Sequence, residues 1–341
     1  MKAGDLTEGA SLTLPSQPPP PPRPSTTFKR TNPGADAPRR AVPPPRRILY
    51  IFAGPARPVD GLAALAALSG FEVDEVDVLR GGSHHDVLCA DTRARLLDSL
   101  RGGAYAAVLI ATPCTSFSVA RGNHEDGGVH VGLRTFEHSS GPPEASEVAK
   151  AFVRKHDVFV DFTVDVANVA LDLDLDIIIE SPAPRSDPNL ASFWPARAHL
   201  PQLWDMPRMR ELRARRALSL LVVPQCAFGP GPHGKLFQKY TGLLVSRRVE
   251  ARLADLRHLR CNHRAHSELA HGDNAARAAA YPVALNDALV AALTGRRRTA
   301  PLPAPPLPAT APRPDLLPPP APAAAPAPDA RPAPAPSAPQ P

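Results

Sequence analysis

A cysteine follows an apolar run at a point where a strand would end. Cys114 comes after residues 105–111 and directly after Pro113, which cannot donate a ladder hydrogen bond and so marks where the chain leaves a sheet. A thiol in such a turn becomes a nucleophile where backbone amides or a cation depress its pKa. The alternative is a packing role, because cysteine is among the most frequently buried residue types.

A glutamate stands in a similar position further along the chain. Glu180 follows three consecutive isoleucines, 177–179, so its carboxylate leaves a strongly apolar strand. Such a carboxylate either finds strong donors or has its pKa raised, and both states suit a general acid or a hydrogen-bond partner for an amidine-like edge. The alternative is that Glu180 caps the turn that follows it.

A glycine ends the first predicted strand. The apolar run Arg47–Gly54 predicts a buried strand, and its terminal glycine lets the backbone approach a ligand closely. An acidic residue at the end of the second strand, Asp77 or alternatively Asp74, would be placed to hold a ribose hydroxyl. Asp86 and Asp91 are further loop carboxylates in the same half of the chain.

Strands and helices alternate around these residues, which predicts an α/β domain with a parallel sheet and helices on both faces. We predict strands at 47–54, 71–78, 105–111, 175–180, 218–223 and 240–245, and helices at 59–69, 92–100, 145–171, 206–217 and 283–293. Residues 119–143, rich in Gly, His and Ser, predict a long functional loop or disorder. Ligands of such sheets bind beyond the carboxyl ends of the strands, so Gly54, Cys114 and Glu180 are expected at one edge.

Proline separates the two ends of the chain from its middle. Of 341 residues 45 are proline, with 12 in residues 1–47 and 18 in residues 295–341. Such segments cannot offset the entropy of ordering, which predicts disordered tails at 1–46 and 296–341 around one domain at 47–295. Extended proline-rich tails suit SH3-type or WW-type domains as partners.

The excess of positive charge, a formal net charge of +6 for the whole chain, also comes from the residues near its two ends. Residues 1–47 carry +5 and residues 295–341 carry +3, which leaves −2 for the residues between them. The tails, rather than the domain, could therefore supply nonspecific contacts to the phosphates of DNA or RNA.

Several classes of protein are not expected from this composition. No stretch approaches the roughly 18 apolar residues that a membrane span needs, and residues 1–30 lack the apolar run of a signal peptide. The four cysteines are widely spaced and fit a reducing compartment. We expect an intracellular protein, nuclear or cytoplasmic, without a membrane partner and of unknown oligomeric state.

Three short motifs in order resemble the DNA cytosine-5 methyltransferase family. They are Phe52-Ala53-Gly54, the run Pro-Cys-Thr-Ser-Phe-Ser at 113–118, and Glu180-Ser181-Pro182. Residues 281–293 also resemble the family's final motif, a helix that returns to the cofactor pocket. The resemblance covers roughly residues 47–182 and 280–294, and it implies a Rossmann-like class I methyltransferase sheet.

The resemblance implies a role for each motif in DNA methylation. Cys114 would add to C6 of a cytosine, and Glu180 would hydrogen-bond N3 and the exocyclic amine, while C5 takes a methyl group from S-adenosylmethionine. Phe52, Ala53, Gly54 and Pro113 would line this cofactor, with Asp77 on its ribose and Asp86 or Asp91 near its adenine. The target base would leave the duplex for this chemistry.

Departures from the family pattern keep a second function open. Pro55 follows Gly54 and lacks an amide, Ser181 replaces asparagine, and only some forty residues separate Tyr240 from Tyr281, where the family inserts a target-recognition domain. The alternative is a catalytically inactive binding module of the same fold, associated with nucleic acid or derived from a mobile element.

A last group of residues has side chains that zinc accepts. Cys261, His263 and His266 are close in sequence, with Cys226 as a candidate fourth ligand. Their spacing is irregular for a zinc finger, so the sequence favours a solvated basic stretch and no metal site.

Overall fold

The computed structural model describes residues 46–117, 133–231, 234–263, 266 and 278–298. The chain separates into two units, Met1–Pro43 and Pro44–Pro341, and every described residue belongs to the second. The predicted tails lie outside the described residues apart from their innermost positions, and so does most of the predicted loop at 119–143.

The core of the domain is a six-stranded sheet with the order β2-β1-β3-β4-β6-β5. Its strands are β1 (Arg47–Ile51), β2 (Glu72–Val76), β3 (Ala107–Ala111), β4 (Asp176–Pro182), β5 (Ser219–Pro224) and β6 (Tyr240–Val245). All six lie where the sequence predicts a strand, with ends shifted by up to three residues.

The expectation of a parallel sheet is wrong at one strand. β1 to β4 pair in parallel, whereas β6 runs antiparallel to both β4 and β5. The connection from β5 to β6 contains a 3₁₀ turn, Gln225–Phe228, and no α-helix among its described residues. Without a crossover helix the chain returns beside β5 in the opposite direction, so the sheet is mixed.

Helices cover both faces of the sheet, as predicted. They are α1 (Leu62–Ala67), α2 (Val78–Gly81), α3 (Ala90–Arg101), α4 (Glu147–Asp172), α5 (Pro207–Arg215), α6 (Arg247–Arg252) and α7 (Val283–Thr294). Leu49 and Ile51 of β1 join a core with α3, α4 and α5, whereas Ile48 and Tyr50 join a second core with α1, α6 and α7. This alternation follows from the opposite directions of successive strand side chains.

The arginine-rich helix α5 packs against acidic positions of α4. Arg208 forms ion pairs with Asp161 at 2.9 Å and Asp165 at 2.7 Å, and Arg216 pairs with Asp172 at 2.6 Å. These two arginines therefore serve packing between helices. Within the described part of the chain, no helix combines the length and the apolar character needed to span a membrane.

Candidate functional site

The carboxyl ends of β3 and β4 bring the two predicted catalytic residues together. Parallel pairing sets Ala111 opposite Glu180, and Cys114 lies three residues beyond Ala111. The two side chains are close enough to interact electrostatically, since the charge on Glu180 raises the pKa of the Cys114 thiol. One edge of the sheet therefore carries both a thiol and a carboxylate, as the sequence predicts.

Opposing effects act on the Cys114 thiol. Burial raises its pKa most strongly, and Glu180 adds to that increase, whereas the cations Lys239 and Arg185 lower it. The net result is a pKa above the ordinary value, so the thiol is protonated at neutral pH in this state. A nucleophilic role therefore requires a shift toward thiolate when a substrate binds.

The Glu180 carboxylate is buried and incompletely satisfied. Only 6% of the residue is exposed, and its Oε1 has no hydrogen-bond partner among the described residues. An unpaired buried carboxylate oxygen is energetically costly, so it marks a place where a ligand donor would be favourable. Because Oε1 accepts no hydrogen bond from a described residue, this oxygen does not cap the turn that follows Glu180.

Two buried tyrosines adjoin Glu180. The Tyr281 phenol interacts with Glu180 and with Tyr50 of β1. Burial, followed by the nearby Glu180 charge, raises the pKa of both phenols above the ordinary value. Both tyrosines are therefore neutral at neutral pH and can donate hydrogen bonds.

The start of α7 is fastened to the loop that follows β1. Arg57 donates from Nη1 to the carbonyl of Tyr281 at 2.8 Å, and Asn286 donates from Nδ2 to the carbonyl of Asp60 at 3.0 Å. The segment predicted to return to the cofactor region thus lies beside the first strand end and contributes Tyr281 to the Glu180 surroundings.

The turn after β1 has an unusual backbone and open space beside it. Phe52 and Gly54 have φ angles of 61° and 69°. Asp77 accepts from the Gly54 amide at 2.9 Å, and Arg80 donates from Nε to the Gly54 carbonyl at 2.7 Å. A Cβ atom at Gly54 would meet nothing within 4 Å, so a ligand could approach the backbone there.

The predicted ribose and adenine carboxylates take different positions. Asp77 follows β2 and adjoins Gly54, whereas the alternative Asp74 is bound to Arg47 at 2.7 Å and to the Tyr105 hydroxyl at 2.8 Å. Of these two carboxylates, Asp77 is therefore the one that contacts the turn after β1. Asp86 accepts from the Leu88 amide at 2.9 Å in a local turn, and Asp91 is exposed in the first turn of α3.

A buried arginine that no sequence pattern indicates supports the cysteine turn. Arg134, 2% exposed, donates to the Ser116 hydroxyl at 3.1 Å and pairs with Asp157 of α4 at 2.7 Å. Its guanidinium also lies 4.4 Å from the centroid of the Phe117 ring. Ser116 and Phe117 follow Cys114 closely, so Arg134 holds this turn against α4.

A second buried arginine supports the same turn. Arg185 donates from Nη2 to the carbonyls of Phe117 and Pro201, both at 3.2 Å. Burial lowers its pKa to about 10, which leaves it charged at neutral pH. Arg134 and Arg185 have no distinguishing sequence signal, because each stands in a polar segment where an arginine is usually solvated.

The candidate metal ligands form a separate cluster. Cys226, Cys261, His263 and His266 place their ligand atoms within 4.8 Å of one another. A cavity of about 690 Å³ lies along the outer strand β5 and is lined in part by Tyr240 and Arg260. Its lining does not include Gly54, Cys114 or Glu180.

Comparison of the chain with protein-family models, with curated proteins and with solved structures finds no match in any of the three. A functional assignment therefore depends on the residues and the geometry of the chain itself.

Proposed function

We propose that the chain is an S-adenosylmethionine-dependent methyltransferase of the cytosine-5 type, built on a Rossmann-like class I sheet. The observation that carries the proposal is the position of the Cys114 thiol at the same sheet edge as Glu180, a buried carboxylate whose Oε1 has no hydrogen-bond partner among the described residues. A nucleophile and a carboxylate at one sheet edge are the two groups that addition to a cytosine ring requires.

The strand order supports a ligand site at this edge. From β1 the chain goes outward to β2 on one side and then to β3 on the other, so the order reverses between β1 and β3. Ligands of open α/β sheets bind in the crevice at such a reversal, beyond the carboxyl ends of the strands. Gly54 follows β1 and Cys114 follows β3, and the two residues therefore flank the expected crevice.

The residues around Gly54 fit a nucleoside-containing cofactor. The space beside Gly54 is open, because an added Cβ would meet no atom within 4 Å, and the Gly54 amide donates to Asp77. Each Asp77 oxygen accepts one backbone N–H, from Gly54 and from Leu79, and a carboxylate oxygen can accept a second hydrogen bond. Asp77 could thus still receive ribose hydroxyls. S-adenosylmethionine, when bound, supplies an electrophilic methyl group.

The roles of the protein residues follow from their surroundings. Glu180 would accept hydrogen bonds from the amine and the protonated N3 of the ring through its unpaired oxygen, and Tyr281 would fix its orientation. The Cys114 thiol would lose its proton to solvent and its sulfur would bond to C6, so the electron pair of the C5–C6 double bond would move to C5. That pair would bond to the methyl group that S-adenosylmethionine would supply, with S-adenosylhomocysteine as the leaving group. Loss of the C5 proton to solvent and departure of the thiolate from C6 would then restore the double bond. Lys239, which lowers the thiol pKa, stabilises the thiolate form.

A covalent trap tests this mechanism. The full chain is mixed with S-adenosylmethionine and with single-stranded DNA, duplex DNA or RNA carrying 5-fluorocytosine, whose fluorine cannot leave as the C5 proton does. We expect a covalent complex on a denaturing gel, lost in Cys114→Ser and kept in Cys89→Ser, which changes an exposed cysteine outside the site. Transfer of labelled methyl groups at undiminished rate in Cys114→Ala would contradict the mechanism.

The binding-module alternative is favoured by one observation, the raised pKa of a thiol that burial keeps protonated. A calorimetric titration distinguishes the two functions. Micromolar affinity for S-adenosylmethionine supports the methyltransferase, whereas nucleic-acid binding without cofactor binding supports the inactive module.

A further inference from the structure

Four potential metal ligands lie close together near the end of β5. In the sheet, β6 separates β5 from β4, the strand that carries Glu180. Cys226 lies in the 3₁₀ turn that follows β5, and the other three follow a 3₁₀ turn at Ala254–His258. We call this group, which consists of Cys226, Cys261, His263 and His266, the thiol–imidazole cluster. Cys226 is buried, and the other three are half-buried.

The spacing of the cluster matches a tetrahedral metal centre. The Cys261 sulfur lies 3.3 Å from Nε2 of His266 and 3.9 Å from Nδ1 of His263. Zinc–sulfur and zinc–nitrogen bonds of about 2.3 and 2.0–2.1 Å place the ligand atoms of a tetrahedron about 3.4–3.8 Å apart. The largest separation in the cluster, below 4.8 Å, needs only a small contraction to reach this range.

The donor set narrows the choice of ion. Two thiolates and two imidazoles are soft or borderline ligands, whereas magnesium and calcium prefer oxygen. Four protein ligands also leave no open position for a substrate, which is typical of a structural zinc site. A disulfide between Cys226 and Cys261 would not account for two imidazoles directed at the same point, and both cysteines are free thiols.

We propose that the thiol–imidazole cluster binds one structural Zn²⁺ ion. Both cysteines bind as thiolates, and their protons pass to solvent. The ion connects the turn after β5 to the segment that precedes the Tyr281 motif, two parts of the chain that are far apart in sequence.

The position of this site suggests what the ion stabilises. The amide of Gln225, next to Cys226, donates to the carbonyl of Lys239 at 2.8 Å, and Lys239 donates from Nζ to the carbonyl of Ala278 at 3.2 Å. Lys239 is also the cation that most lowers the pKa of Cys114. The zinc site therefore supports the strand end that holds this lysine.

Metal analysis of the full chain tests the proposal. We expect one equivalent of zinc per chain after expression with zinc, and a lower denaturation midpoint after chelation that zinc restores. Cobalt added to the chelated protein should give the absorption bands of tetrahedral cobalt and of sulfur-to-cobalt charge transfer. Cys226→Ser and His266→Asn should each lose most of the metal.

Matched controls separate ligand loss from general damage. Cys89→Ser and His258→Asn change residues outside the cluster and should keep a full equivalent of zinc. Three results would each overturn the proposal. They are a denaturation midpoint of the metal-free protein that does not change when zinc is added, an octahedral cobalt spectrum, and full metal content in Cys226→Ser. A disulfide between the two cluster cysteines in freshly purified protein would overturn it as well.

Discussion

The Cys114 thiol differs from the other cysteine of the same half of the domain. Cys89 is exposed at the start of α3, where the backbone amides of Thr92 and Asp91 lower its pKa. Burial raises the pKa of Cys114 above its ordinary value of 9.0. The pKa values of the two thiols are thus shifted in opposite directions. The more acidic thiol is that of Cys89, which has no proposed function.

Alkylation with iodoacetamide should reveal this difference. Because only thiolate reacts, we expect Cys89 to be modified faster at neutral pH, and the rate at Cys114 to keep increasing above pH 9.0. Mass spectrometry of the two peptides across a pH series measures both rates in one sample. Cys89→Ser removes the fast site as a control. Equal rates at neutral pH, or a Cys114 rate that levels off below its ordinary pKa, would contradict the expectation.

Some residues of the site are predictable from the sequence and others are not, for a physical reason. Cys114 and Glu180 each follow an apolar run, and strand ends of a parallel sheet meet at one edge, so their proximity was predictable. Arg134, Arg185 and Lys239 come from segments without such a pattern. Their burial depends on contacts between distant parts of the chain, which no local signal encodes.

The turn after β1 joins a strained backbone to the proposed cofactor position. Gly54 adopts a φ of 69°, a region that costs a residue with a side chain about 1–2 kcal/mol. Gly103, after α3, has a φ of 74° and likewise has no atom within 4 Å of an added Cβ. The two glycines thus provide a matched pair, one at the site and one remote from it.

Gly54→Ala and Gly103→Ala should therefore have the same effect on stability and different effects on binding. We expect each to lower the free energy of unfolding by about 1–2 kcal/mol in urea titrations. Only Gly54→Ala should weaken S-adenosylmethionine binding, by tenfold or more in calorimetry, because its methyl group enters the proposed cofactor space. Equal cofactor affinity in the two variants would exclude this turn as part of the pocket.

At the level of elements, sequence patterns predicted the positions of strands better than their directions. Each strand contains a β-forming apolar run, which local composition reveals. The antiparallel direction of β6 depends on the connection between β5 and β6, residues 225–239. A parallel strand needs a crossover helix in its connection, and the sequence predicts no helix in this one. Arg208 of α5 and Arg216, which directly follows this helix, both pair with carboxylates of α4, contacts that no local sequence pattern indicates.

At the scale of the whole molecule, charge is unevenly distributed between the ends and the middle of the chain. Residues 1–47 and 295–341 together hold +8, against −2 for the rest. Two of the arginines near the second end are already paired, Arg296 with the buried Asp287 and Arg298 with Asp255. The charges further out are the ones expected to contact phosphates.

Replacing four outer arginines with glutamine should weaken nonspecific binding to single-stranded DNA. The positions are Arg39, Arg40, Arg313 and Arg331. We expect the slope of log affinity against log salt to decrease by up to about 0.7 for each lost phosphate contact. Fluorescence anisotropy at several salt concentrations measures the slope. As a control, lysine at the same four positions keeps the positive charge and should leave the slope unchanged. An unchanged slope in the glutamine variant would mean that the domain, and not the tails, binds the DNA.

The contact between Tyr281 and Glu180 also affects how the protein matures during synthesis. A ribosome makes the β1 turn, the cysteine turn and the glutamate strand long before it makes residue 281. Until that late segment emerges and inserts beside the sheet, the carboxylate lacks its tyrosine neighbour. Nascent chains and fragments that stop short of α7 should therefore lack the proposed methyl-transfer activity.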